Sequence, residues 1–398
     1  MDVEDLLAGI RGRRMLLGYA RRLAERGAGT AAADLTAALF HAELQLLRPA
    51  PAPAEPEEGD PAPLGPGEWT RAPGPAGAGD DPGGVHGGPS GEPVDAAAAE
   101  VALHLDRVDL GVPHDPEGTD LLLALADSVA AARYWQAPDE VDRLCAQPAV
   151  RAALSRIAAH ALAVEPIGWW DAPVHPDAQA RVIFEGAPEP DREPAEVLAA
   201  WRGEVLADER RNARMRRRRP ERGFSGVWWS RPPAALPAST RRLAGGRPAG
   251  LDLVEDALDF RRAEVRDLHV PAGARVLEIH GPADWARLCR EHPLEVTASR
   301  RDDWRAATGR TGTWVLPDWS ALARGHDGVH LSVAGYLRCA GEPIEVGDGA
   351  ASVVAGWGPD ETWWFGRPWT GAAEHWGLDV AGVDPVWLRR GEGAPGET

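Results

Sequence analysis

The sequence predicts an α+β fold with helical N-terminal segments, a disordered Pro/Gly-rich linker and a mixed-sheet C-terminal domain. Three observations predict it. Apolar residues recur at helical spacing before about residue 165, and composition collapses to Pro, Gly, Ala, Asp and Glu over 49–94. After residue 165, short β-type runs alternate with Gly/Pro turns.

In chain order, Val3, Leu6, Leu7, Ile10, Met15, Leu16 and Leu23 mark one amphipathic helical stretch. Leu35, Leu39, Phe40 and Leu44 to Leu47 mark a second, which Pro49 ends. Together they read as a helical hairpin over 1–48 whose apolar face must dock on the rest of the chain or on a protein partner. Residues 49–94 have too few aromatic and branched side chains to offset chain entropy by burial, which makes them a tether. A helical segment follows over 95–164, with Pro148 opening its last helix. The α+β domain spans 165–390. Its strands are expected at Ala180–Phe184, Leu251–Val254, Arg275–Ile279, Thr313–Leu316, Val329–Val333, Ser352–Ala355 and Thr362–Phe365, and its short helices at Pro282–Glu291 and Asp302–Thr308. Residues 391–398 form a polar, Gly-rich tail.

The bulk numbers narrow the function. The 398 residues carry 43 basic and 61 acidic side chains, a net charge of -18, so a general nucleic-acid binder is not expected. All the basic residues are arginine, a skew of GC-rich coding as in actinobacteria. Three scattered cysteines fit a reducing cytoplasm rather than a disulfide framework. The acidic start is unlike a basic signal peptide, and no apolar run reaches the ~20 residues of a membrane span. No metal set with standard spacing occurs, nor a phosphate-binding Gly loop.

The oddest feature is 17 tryptophans against 5 Phe and 3 Tyr. Paired tryptophans (Trp228 and Trp229, Trp363 and Trp364) offer flat apolar faces suited to planar or cationic ligands. On an alternating strand, at least one of Trp363 and Trp364 should leave the core. The run Arg210 to Arg219 is suited to gripping phosphate or an acidic partner, pairing with the chain's own acidic residues, or complementing a helix C-terminus.

Asp327-Gly328-Val329-His330 resembles the last motif block of the SGNH hydrolases, in which an aspartate three residues before a histidine orients it. The resemblance implies His330 as base and Asp327 as its orienting partner, but the Gly-Asp-Ser block of that family has no counterpart here. Val276-Leu277-Glu278-Ile279, Pro282-Ala283-Asp284-Trp285, Pro317-Asp318-Trp319, Asp327-Gly328-Val329 and Ala355-Gly356-Trp357 resemble a "pxDW…PDW…DGVHL…AGW" domain of uncharacterised actinobacterial proteins, similar in turn to the ADP-ribosyltransferase-like fold. That resemblance implies NAD as cofactor, Arg275 or His280 as its ligand, a Thr297-Ala298-Ser299 strand, and Glu342 or Glu345 at the ribose.

The reading favoured is a small-molecule-binding enzyme of specialised metabolism with a Trp/Arg/His-lined pocket. Asp327 and His330 are its catalytic candidates, and Arg275, His280, Trp228, Trp229, Trp363, Trp364 and Glu345 its binding candidates. An ADP-ribosyltransferase-like modifier using NAD and a non-catalytic interaction protein are the alternatives.

Overall fold

The computed structural model describes residues 1–27, 29–47, 92–111, 118–164, 167–187, 192–220, 223, 225–256, 260–382 and 384–391. The fold is α+β. The linker expected over 49–94 lies outside the described residues except for 92–94, which are already helical, and the 391–398 tail lies outside them except for Gly391.

Among the described residues, seven helices come first: α1 (Val3–Ala8), α2 (Ile10–Arg26), α3 (Ala31–Leu47), α4 (Glu92–Asp106), α5 (Thr119–Ala130), α6 (Glu140–Cys145) and α7 (Pro148–Leu162). The Asp2 and Asp5 side chains cap α1 reciprocally, and Pro148 stands at the first turn of α7, where its missing N–H costs nothing. α2 is the central helix, in contact with α5, α7, α3 and α6. The buried Arg11 guanidinium pairs with Asp142 of α6 and donates to the Ser128 carbonyl of α5 at 2.9 Å. A buried ion pair of this kind fixes which helices meet more than it adds net stability.

The remaining elements are β1 (Gln179–Phe184), α8 (Pro194–Arg218), β2 (Ala238–Arg241), β3 (Arg262–His269), β4 (Val276–Ile279), α9 (Pro282–Glu291), β5 (Pro293–Glu295), α10 (Thr297–Thr308), β6 (Thr313–Pro317), α11 (Trp319–Leu322), β7 (Gly328–Leu331), α12 (Val333–Cys339), β8 (Ile344–Gly347), β9 (Ala350–Ser352), β10 (Glu361–Trp364), β11 (Trp369–Asp379) and β12 (Val386–Arg390). They build an eight-stranded sheet in the order β12-β11-β3-β1-β2-β10-β7-β4 and a four-stranded sheet in the order β5-β6-β9-β8. Pairing is antiparallel except for β4 with β7 and β6 with β9, so both sheets are mixed.

The N-terminal hairpin is part of this body. One buried apolar cluster runs from Leu6 through the helices to Phe365. Gly9, between α1 and α2, shows how tightly the layers meet: a Cβ there would lie 1.9 Å from the Leu337 carbonyl oxygen of α12. Gly9→Ala should therefore push the helical layer off α12 and destabilise the chain by about 1–3 kcal/mol. Urea midpoints measure this, and a midpoint equal to wild type would refute so close a contact.

Several expected elements differ. Leu251–Val254 is not a strand; Ala249–Leu251 forms a 3-10 turn, with Gly250 N–H donating to Thr240 Oγ1 at 2.8 Å. β7 stops at Leu331 because Ser332 caps α12, its hydroxyl accepting from Gly335 N–H at 3.0 Å. Thr297–Ser299 begins α10 rather than lying in a strand, and of Ser352–Ala355 only Ser352 is in β9.

Candidate functional site

A cavity of about 790 Å³ opens on one face of the large sheet, lined by Phe184, Trp228, Trp229, Glu255, Glu361 and Trp363 among others. Strand alternation puts Glu361 and Trp363 on the cavity side of β10, opposite Leu331 and Val329 of β7. The segment Trp228–Ser230 crosses beside them, held where Ser230 exchanges hydrogen bonds with Ala355. Gly356 makes this crossing possible. Its φ is +72°, and a Cβ would meet the Trp229 Cβ at 2.5 Å, so only glycine fits.

Phe184, Trp228, Trp229, Phe260 and Trp363 supply the aromatic lining. Trp228 and Trp229 meet edge to face at 5.7 Å, Phe184 stacks on Phe260 at 4.5 Å, and Trp135 from the helical layer closes on Trp228 at 4.8 Å. The Arg231 guanidinium lies 5.2 Å from the Trp363 ring centroid and 5.9 Å from that of Trp229.

Two carboxyl groups face this aromatic space. Burial pushes Glu255 up to about 8. Its oxygens make no hydrogen bond among the described residues, so the nearby Tyr336 hydroxyl and Gly356 amide offset only part of the shift. Burial pushes Glu361 up to about 7, opposed by Arg231, the Gly358 N–H at 3.3 Å and the Trp363 indole N–H at 3.2 Å. Desolvation also lowers Arg231 below the usual guanidinium range. The site thus combines flat apolar walls, one guanidinium and two carboxyls that change charge near neutral pH.

His330 lies on the opposite face. Residues Glu278 on β4, His330 on β7 and Thr362 on β10 are cross-strand neighbours. His330 Nδ1 and Glu278 Oε2 are 2.5 Å apart, and Nε2 lies 3.4 Å from Asp360 Oδ1, near enough for ion pairing but not aligned for a hydrogen bond. Arg241 completes the cluster, donating from Nε to Asp360 Oδ1 at 2.6 Å and from its backbone N–H to Oδ2 at 2.8 Å. The segment Trp169–Val174 straps over this face. Val174 N–H donates to Glu278 Oε1 at 3.1 Å, and the Trp169 ring packs 4.8 Å from the Arg241 guanidinium. Burial disfavours the imidazolium, yet Asp360 and Glu278 outweigh it and raise the pKa of His330.

These positions correct the expectation for the catalytic pair. Asp327 does not orient His330. Its half-exposed carboxylate accepts from Arg275 N–H at 2.9 Å and lies 3.4 Å from Arg275 Nε, which holds it below its ordinary pKa. Nor does His330 line the cavity; at 1% exposure it belongs to a closed polar cluster beneath the strap.

The binding candidates divide. Trp228, Trp229 and Trp363 line the cavity. Trp364 turns away, its indole N–H donating to Ser239 Oγ at 2.9 Å. Both Trp363 and Trp364 are buried because the sheet is covered on both faces, against the expectation that one leaves the core. Arg275 pairs with Asp327 on the surface, His280 Nδ1 lies 3.4 Å from Asp171, and Glu345 pairs with Arg310 at the small sheet. Glu342 accepts from Ile10 N–H at 3.0 Å and lines a second cavity of about 400 Å³ with Glu345, but neither Arg275 nor His280 lines it. Sequence reasoning missed Glu255, Glu361 and Arg231. The alternation of β10 offered a signal for Glu361, two residues before Trp363, whereas Glu255 lies in a loop with no periodic cue.

Among the described residues, no group of three His, Cys, Asp or Glu side chains is arranged to hold a metal ion. Among the same residues, no helix is long and apolar enough to cross a membrane. Comparison with protein-family models, curated proteins and solved structures finds no match to this chain.

Proposed function

We propose that the chain is a small-molecule-binding enzyme whose ligand is a planar molecule bearing positive charge, bound in the aromatic cavity with Glu361 as its acid–base group. The observation that carries this reading is the pairing of Glu255 and Glu361 on one Trp-lined cavity, both with raised carboxyl pKa values. A buried carboxylate short of partners gains most from a cationic ligand, and aromatic faces add cation–π attraction. A carboxyl near 7 is also matched to proton transfer at neutral pH. The free, buried cysteines Cys145, Cys289 and Cys339 support a cytoplasmic setting.

The test uses N-methylquinolinium, planar and permanently charged, against neutral and carboxylate-bearing quinolines of similar size, followed by tryptophan fluorescence. The cation should bind tightest. Its affinity should rise as pH passes through 7 and 8, where Glu361 and Glu255 ionise. Glu361→Gln should flatten the lower part of that rise and weaken binding about tenfold at pH 8. Equal or tighter binding of the neutral isostere would sink the proposal.

A further inference from the structure

We infer that the outward face of α8 is a docking surface for the phosphate backbone of a nucleic acid. Seven of the ten residues from 210 to 219 are arginine. They are not equivalent. Arg216 is buried and donates to the Ala298 carbonyl at 2.6 Å and to Asp302 at 2.9 Å, while Glu209 accepts from the N–H groups of Ala298 and Ser299 at 2.7 and 2.8 Å. These contacts lock the inner face of α8 onto the first turn of α10 and fix what the outer face presents. That face carries Arg210, Arg214, Arg217 and Arg218, all exposed and at i, i+4, i+7 and i+8 spacing.

Neither helix stability nor the dipole accounts for the whole stripe. Like charges four apart, as in Arg210 with Arg214 and Arg214 with Arg218, weaken a helix. The dipole rewards cations only in the last turn, and Arg210 and Arg214 precede it. Acidic neighbours take up Arg211, through Asp208, but no ion pair engages Arg210, Arg214, Arg217 or Arg218 among the described residues. The charge of -18 on the whole chain does not cancel this field locally, because screening confines each charge to about 8 Å at physiological ionic strength.

The kind of partner follows from what the face lacks. No large exposed hydrophobic residue lies on α8 among the described residues. Protein interfaces draw their affinity from buried aromatic and aliphatic anchors, and exposed ion pairs add little. Non-specific nucleic-acid binding draws essentially all its affinity from charge, through release of counterions from the phosphates. A rigid arginine stripe without apolar anchors suits the second.

The experiment is fluorescence anisotropy of a labelled 20-nucleotide single strand with the full chain, titrated in salt. With about four phosphate contacts, log K against log salt should fall with a slope of about -3, a loss of roughly 50-fold between 50 and 200 mM. The triple variant Arg214→Gln, Arg217→Gln, Arg218→Gln should bind at least tenfold more weakly with an unchanged helical circular dichroism spectrum. The single variant Arg214→Gln, the milder change, should lower the slope by about 0.7. No binding by wild type at 50 mM salt would overturn the inference, as would a triple variant that binds equally. Tighter binding of poly-glutamate than of the strand at equal charge concentration would overturn it in favour of an acidic protein partner.

Discussion

Replacing His330 with leucine should cost about 3–5 kcal/mol of unfolding free energy, because it removes the imidazole from between the buried Asp360 carboxylate and the partly buried Glu278 carboxylate. Glu278 would keep only its bond from Val174, and Asp360 would keep Arg241. His330→Gln retains a donor towards Glu278 and should cost less. The pH dependence separates the charge from the packing. His330 has its pKa raised above 6.5 in the folded chain, so the native state holds the extra proton. Its stabilisation is fully present below about 6.5 and is lost as pH rises through the higher folded value. Glu361 near 7 and Glu255 near 8 are raised too and act with the same sign in an overlapping window. The contribution of His330 is therefore the difference between wild type and His330→Gln in urea melts from pH 5 to 9. Wild type should lose its advantage over the variant as pH rises. A constant advantage would mean that the imidazole is not charged in the folded chain.

That cluster marks where sequence legibility ends. Local signals are legible in the sequence. Pro148 opened α7 and Pro282 opened α9, because a proline at a helix start acts on its own neighbours. The apolar burial of Val329 and Leu331 followed from period-two alternation. The partner of His330 did not, because Glu278 reaches it only through parallel pairing of β4 with β7, 52 residues apart. Asp327, three residues away, was the nearer carboxylate in sequence, but Arg275 holds it outside. Strands β3 and β11 also escaped. Arg262–His269 buries Ala263, Val265 and Leu268 between charged residues, and Trp369–Asp379 shifts register between Thr370 and Ala373. Of the cavity, the tryptophans were legible from composition. The carboxyls were not, since what raises their pKa is burial assembled from distant segments.

The tryptophans themselves do two jobs, and the second large effect separates them. Trp319→Ala should destabilise the chain by about 3–5 kcal/mol. Trp285, Trp319 and Trp357 are all 0% exposed and meet at centroid distances of 5.8 to 6.2 Å, each tilted or edge-on to the others. This three-ring cluster fills the volume that phenylalanine and leucine fill in most cores, and deleting one ring leaves a void that its rigid neighbours cannot close. Trp319 also donates its indole N–H to the Ser230 carbonyl at 3.2 Å, so its loss frees the residue next to Arg231 on the cavity wall. Trp319→Phe keeps most of the ring but leaves that buried carbonyl unpaired, and should cost about 1–3 kcal/mol. Trp369, 67% exposed on β11, is the control, and Trp369→Ala should change stability by no more than about 0.5 kcal/mol. Guanidinium midpoints order the three variants. If Trp319→Ala melted like Trp369→Ala, the ring cluster would not be the core element described. If Trp319→Phe held the fold and lowered affinity for N-methylquinolinium, the Ser230 bond would be what fixes Arg231 in place.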